Sequence, residues 1–183
     1  VEGFGLMTGS GAVLETGPRR VLHAGCGKTP LPDLFLPCFE TRLDIDPDNR
    51  PDVLASMSDL GNIGPFDLVY TSHALEHLNP FDAAKALKEF HRVLEPGGIA
   101  VVVVPDLEGV RPDNRILYES PGGAISGFDL IYGYRPNVAE SEFMLHRCGF
   151  VADTLEEAFR EAGFSIVETR RVAGYQLLAT GVK

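Results

Sequence analysis

The run Val21–Thr29, VLHAGCGKT, restricts what this chain can fold into more than any other stretch. Apolar residues lead directly into Gly25-Cys26-Gly27, the pattern of a buried strand that ends in a turn almost free of side chains. Glycines at such a turn let a small polar ligand lie against bare backbone. Open α/β sheets bind their ligands at the carboxyl ends of their strands. The site is therefore expected at that edge of an α/β sheet.

The 183 residues suffice for one domain with its own core. A net charge of −10, with only 16 scattered Lys and Arg, repels a nucleic-acid backbone and excludes nucleic acid as the expected partner. A small molecule or a protein-borne group is the expected substrate. No apolar run approaches the ~20 residues of a membrane span, and Val1–Arg20 lacks the basic-then-apolar order of a signal peptide, so no membrane partner is expected. Cys26, Cys38 and Cys148 form an odd, sparse set, read as reduced thiols of a cytoplasmic protein. The oligomeric state stays open.

Residues 1–18, rich in Gly, Ser and Thr, read as a flexible arm ahead of one domain over 19–183. Strands are expected at Arg20–Ala24, Phe39–Ile45, Asp52–Ala55, Phe66–Thr71 and Ile99–Val104. Pro30, Pro32 and Pro37 leave room for only a short or distorted helix after the first strand. The link between the second and third strands is too short for a crossover helix. Asn79 should cap a helix starting at Pro80, with Ala83, Ala86, Leu87, Phe90, Val93 and Leu94 on one face and Pro96-Gly97-Gly98 as its stop. The interval 105–149, broken by prolines and glycines, is too long for a structureless loop and reads as a lid or substrate wall. A last helix should start at Asp153, with Leu155, Ala158, Phe159 and Ala162 inward. Phe164–Thr169 and Val172–Thr180 should close the chain as two strands turning at Arg170-Arg171. These elements amount to an α/β three-layer fold whose sheet is mostly parallel with one antiparallel strand.

VLHAGCGKT, LDIDP, FDLVYTSHALEHL and VLEPGGIAVVVVPD, in this order and spacing, resemble the class I S-adenosylmethionine-dependent methyltransferases, nearest to the small "methyltransferase type 11" kind. The likeness covers Arg19–Asp106, and the ending LEEAFREAGFSIVETRR fits the same family. The resemblance implies a Rossmann-like fold of seven strands in the order 3-2-1-4-5-7-6. It implies S-adenosyl-L-methionine as cofactor and methyl transfer to a small-molecule or carrier-linked acceptor. By the same resemblance Gly25, Cys26 and Gly27 receive the methionine part of the cofactor and Asp44 the ribose hydroxyls. Ile45, Ser56 and Met57 flank the adenine, and Thr71, Ser72 and His73 border the methyl group. Three positions depart from the pattern: His23 and Ser56 stand where the family has acids, and Thr29 where it has a third glycine.

For the chemistry, His73 is the candidate general base, and it either takes a proton from the acceptor or only packs against the cofactor. His146, in MLHR, is the second catalytic candidate because the wall segment could turn it to the substrate. His77 belongs to the family's Glu-His pair, and His91 falls on the surface side of the long helix. His73-Ala74-Leu75-Glu76-His77 matches the HxxEH spacing of some zinc peptidases, but Pro80 interrupts the helix that spacing needs. Some relatives in the resembled family place an acid and then Glu-His around a divalent ion that assists O-methylation, but His73 replaces that acid here, and no metal is expected. Tyr118, Tyr132 and Tyr134 with Arg111, Arg115 and Arg135 either form an acceptor pocket or pack a lid. A nicotinamide-dependent oxidoreductase wants a small residue at position 30, where this chain has Pro30. A non-catalytic scaffold that keeps the cofactor site is the remaining alternative.

Overall fold

A computed structural model describes residues 19–183. The expected arm at 1–18 lies outside the described residues. Strands β1 (Arg19–Ala24), β2 (Cys38–Asp44), β3 (Val53–Leu54), β4 (Phe66–Ser72) and β5 (Leu94–Pro105) pair in parallel in the order β3-β2-β1-β4-β5. A hairpin, β6 (Ile116–Ser120) and β7 (Gly123–Ser126), stands apart from this sheet. β8 (Ser165–Val172) and β9 (Gln176–Val182) complete the sheet, with β9 antiparallel between β5 and β8. With the hairpin left out of the count, the sheet order is the 3-2-1-4-5-7-6 expected.

Helix α1 (Pro80–Val93) forms where its signals lie: the Asn79 side chain accepts from the Phe81 and Asp82 N–H groups, and Pro80 occupies the first turn. Ala83, Ala86, Leu87, Phe90 and Val93 are buried at helical spacing. Burying a side chain such as Leu87 or Phe90 stabilises the fold by about 1.5–3 kcal/mol. This helix and α4 (Ala152–Glu161) cover one face of the sheet, against Leu22, Val69, Val102 and Leu177. The opposite face is thinner among the described residues: Leu31 and Phe35, the latter in a single 3-10 turn at Asp33–Phe35, lie on Val21, Leu68, Val101 and Val103. Three prolines within eight residues forbid a longer helix there.

Four local expectations need correction. The helix stops at Val93, not at Pro96-Gly97-Gly98, and those residues form an irregular start to β5 tied to the chain end through Gly97 N–H to the Lys183 carbonyl (3.0 Å). The last helix starts at Ala152 rather than Asp153, with Thr154 Oγ1 accepting from the Val151 N–H. The closing turn falls at Ala173–Tyr175, where Gly174 and Tyr175 adopt positive φ, and Arg170 and Arg171 remain inside β8. His91 is half-buried, edge-on to Phe164.

After β5 the chain runs through the hairpin into α2 (Gly127–Tyr132), α3 (Arg135–Glu140) and a 3-10 turn at Glu142–Met144. Asp129 organises this region: nearly buried, it caps Ser126 and receives Arg135 Nε at 2.7 Å. Burial opposes its ionisation, but Arg135 and Ser126 outweigh that and hold the carboxyl well below the usual carboxylate range. A depressed folded-state pKa stabilises the fold above the unfolded value near ~4 and loses that stabilisation as pH falls from there. The stability gap between wild type and Asp129→Asn in urea melts is therefore expected to be full above about pH 5 and to close progressively towards about pH 2. A gap that does not change with pH would show that the charge contributes nothing.

Candidate functional site

Loops after β1, β2, β3 and β4 converge at the carboxyl edge, where the sheet order reverses between β1 and β4. They enclose, with the 137–147 segment, a cavity of about 740 Å³. Gly25 and Gly27 line it in left-handed conformations, φ 64° and 49°. A Cβ on Gly25 would stand 2.4 Å from Ala74 Cβ, whereas one on Gly27 would meet nothing within 4 Å among the described residues. Gly25 is required by packing against the β4 loop, and Gly27 by its backbone angle beside open space.

Asp44, at the end of β2, turns its carboxylate toward that turn. Its Oδ2 accepts from Gly27 N–H at 2.8 Å and its Oδ1 from Asp46 N–H at 2.9 Å. Each oxygen keeps a further acceptor lone pair, and the residue lines the cavity. Ile45, Ser56 and Met57 line the same end. Ile45 is half-exposed, Ser56 Oγ shares a hydrogen bond with Ser58 Oγ (2.9 Å), and Met57 is nearly buried. Cys26 also lines the cavity, and burial pushes its thiol pKa up, as expected of a filler rather than a nucleophile.

Thr71 does not reach the cavity, contrary to expectation. It is fully buried and directs its hydroxyl at the Met57 sulfur, 3.8 Å away, beneath the floor. His23 reaches the cavity but uses Nδ1 on Glu40 Oε1 at 2.8 Å, and burial holds its pKa below the ordinary value despite that carboxylate. Two residues of β2 unforeseen from sequence complete this side. Arg42 donates to the Gly27 carbonyl at 2.8 Å, to the Thr29 carbonyl at 3.1 Å and to Glu40 at 3.2 Å. Glu40, Arg42 and Asp44 alternate along CFETRLD, so one face of the strand carries all three. That alternation was the available signal.

At the other end stand Ser72, His73 and His77, facing Asn137, Phe143, Met144 and Arg147. His73 has φ 51° and donates its N–H to the Val103 carbonyl at 2.9 Å. Its Nδ1 lies 3.3 Å from Glu76 Oε1. Glu76, in a 3-10 turn at Leu75–His77, is 1% exposed, and beyond this approach of His73 neither carboxylate oxygen has a hydrogen-bond partner among the described residues. Burial would raise its pKa, and the imidazoles of His73, His77 and His146 reverse the direction. His146 is not on the cavity wall. It lies behind His77, ring centroids 5.0 Å apart, because the Glu76 carbonyl accepts from Arg147 N–H (2.8 Å) and Cys148 N–H (3.2 Å) and docks the irregular 145–148 stretch there. None of Tyr118, Tyr132, Tyr134, Arg111, Arg115 and Arg135 lines the cavity; Tyr134 bonds the Gly122 carbonyl, and Tyr118 stacks on Tyr175.

A family model described as a methyltransferase domain matches residues 11–169. An uncharacterised methyltransferase of Synechocystis is 44% identical over 55 residues, which are 30% of this chain and 24% of that protein; the chain spans about a quarter of that relative's length. An S-adenosylmethionine-dependent methyltransferase from Mesorhizobium loti superposes with a TM-score of 0.65 at 19% identity, over 93% of this chain and 94% of that one. A 1,6-didemethyltoxoflavin-N1-methyltransferase from Burkholderia thailandensis, solved with 1,6-didemethyltoxoflavin and S-adenosylhomocysteine, gives 0.59 at 23% identity over 91% and 71%.

Proposed function

The chain belongs to the methyltransferase domain family, and from that premise we propose that it transfers a methyl group from S-adenosyl-L-methionine to a small-molecule or carrier-linked acceptor. The observation that carries this reading is the buried Asp44 carboxylate bonded to the Gly27 amide at the rim of the cavity. The residues present fit the cofactor: acceptor lone pairs on Asp44 suit a ribose diol, and the space beside Gly27 that a side chain would fill suits the methionine part. Ile45 and Met57 offer apolar surface for an adenine. Bound there, the cofactor supplies an electrophilic methyl on a sulfonium, open to in-line displacement.

The chain's own contribution is alignment and proton removal. Arg42 fixes both carbonyls of the first turn, and Glu40, itself held by His23, fixes Arg42. His73 faces Glu76 with Nδ1, which leaves Nε2 to accept a proton from an acceptor held against Asn137, Phe143 and Met144. Arg147, exposed at the same wall, favours an acceptor with an anionic group nearby. The interval 105–149 accordingly serves as substrate wall, chiefly through its last third. The free cysteines agree with a reducing, cytoplasmic setting, and no described helix is long and apolar enough to cross a membrane.

Calorimetric titration with S-adenosylhomocysteine tests the reading directly. One site per chain with micromolar affinity is expected, and the absence of heat at high micromolar ligand would overturn it. The replacement of the family's acids by His23 and Ser56 favours a second reading, a non-catalytic scaffold, which retained binding without turnover on a broad acceptor panel would support.

A further inference from the structure

Behind the cavity's far wall, reached through His77, lies a cluster that methyl transfer alone does not explain. One ligand-capable atom from each of Glu76, His77 and His146 lies within 4.8 Å of the others. The tautomers of the two imidazoles are set by their backbone partners. His77 Nδ1 lies 3.1 Å from the Leu145 carbonyl and His146 Nδ1 lies 2.9 Å from the Leu130 carbonyl. A carbonyl only accepts, so in the neutral rings both Nδ1 atoms carry the proton and both Nε2 atoms keep a bare lone pair. Glu76 adds a buried carboxylate that only His73 Nδ1 approaches, at 3.3 Å from Oε1, and whose Oε2 has no hydrogen-bond donor among the described residues. The three residues thus bring acceptors together with no donor of their own, and His73 reaches only one oxygen of the carboxylate. Burial at this depth is costly unless a cation or a proton enters.

We propose that Glu76, His77 and His146 bind a divalent first-row transition-metal ion at the acceptor end of the cavity. Two imidazoles and one carboxylate suit zinc, cobalt, manganese or iron, and do not offer the all-oxygen octahedron that magnesium prefers. Carbonyl bonds at the second nitrogen of each ring are how ligating histidines are usually oriented. Three protein ligands leave coordination positions open, as in sites where a metal engages a substrate. His77 and His73 line the cavity, so an ion at the cluster would hold an oxygen or nitrogen of the acceptor near His73. That last consequence rests on the methyl-transfer reading; the binding of the ion does not.

The test uses the whole chain, freed of metal by chelator and dialysed, and titrated with Co2+ and separately with Zn2+ and Mg2+. One Co2+ per chain is expected, with visible ligand-field absorption that Zn2+ displaces and Mg2+ does not. Glu76→Gln and His146→Gln are each expected to weaken Co2+ binding on the order of 100-fold, while His91→Gln, in the last turn of α1 against Phe164, leaves it unchanged. Glu76→Gln should melt no lower than wild type in chelator, because its amide supplies donors to the waiting lone pairs, yet gain no thermal stability from Co2+. Wild type that takes up neither Co2+ nor Zn2+, or variants that bind them as wild type does, would overturn the proposal. Glu76→Gln that melts far below wild type in chelator would overturn it too, by showing that the carboxylate is already neutralised by protonated histidines. Titration with S-adenosylhomocysteine alongside separates failure of this site from failure of the cofactor site.

Discussion

Asp44→Ala is expected to weaken S-adenosylhomocysteine binding by at least a factor on the order of 100, measured by calorimetry at neutral pH. A ribose diol donating to a carboxylate makes two charge-assisted hydrogen bonds, and each such bond contributes about 1.5–3 kcal/mol. Alanine removes both, and it also frees the Gly27 and Asp46 amides that the carboxylate now holds. Those amides lie by the cavity, where water can take over, so the fold should survive and the loss should fall on the ligand. Asp44→Asn keeps one acceptor oxygen and should fall between wild type and alanine. Asp46→Ala is the control. Asp46 Oδ1 caps only the short turn at Pro47–Asn49, through the Asp48 N–H at 2.9 Å, and its loss should cost less than about threefold. An Asp44→Ala protein that binds within threefold of wild type would place the nucleoside elsewhere.

What could be read ahead of the structure divides along a physical line. Features set by neighbours in sequence were legible: the Asn79-Pro80 start of α1, its buried stripe, the proline-shortened segment after β1, and the Gly25-Cys26-Gly27 turn. Asp44 was legible because a family pattern marks it, and the bond to Gly27 then follows from strand adjacency. Features set by partners distant in sequence were not. His146 reaches His77 only because the Glu76 carbonyl captures two amides of a distant segment, and no local pattern announces that. The alternation of Glu40, Arg42 and Asp44 puts the charges on one face of β2, but what Arg42 holds shows only once β1 lies beside it. For the tyrosines and Arg135 of the wall interval the sequence leaves pocket and packing open, and partners within the structure decide for packing: Tyr134 takes Gly122, Tyr118 takes Tyr175, Tyr132 takes Phe128 and Arg135 takes Asp129. The closing turn was misread because two arginines look like a break, whereas Gly174 and Tyr175 provide the positive φ that the turn needs.

Gly25→Ala is expected to destabilise the chain by about 4 kcal/mol, the sum of two separable effects. The added Cβ would stand 2.4 Å from Ala74 Cβ, a contact that core overpacking data price at roughly 1–3 kcal/mol. The left-handed φ of 64° adds about 1–2 kcal/mol for a residue with a Cβ. Only the first depends on Ala74, which follows His73 in the loop bordering the cavity. The double variant Gly25→Ala/Ala74→Gly should therefore recover the steric part, roughly half of the loss, and retain the backbone part. Urea melts of the two single variants and the double variant measure this directly, with a positive coupling of at least about 1 kcal/mol expected. Additive losses would mean that the β1 and β4 loops do not touch at this point in solution. The same cycle read by S-adenosylhomocysteine affinity distinguishes packing from site geometry. Strain at Gly25 tilts the Gly27 amide that Asp44 holds, so the double variant should regain stability ahead of affinity.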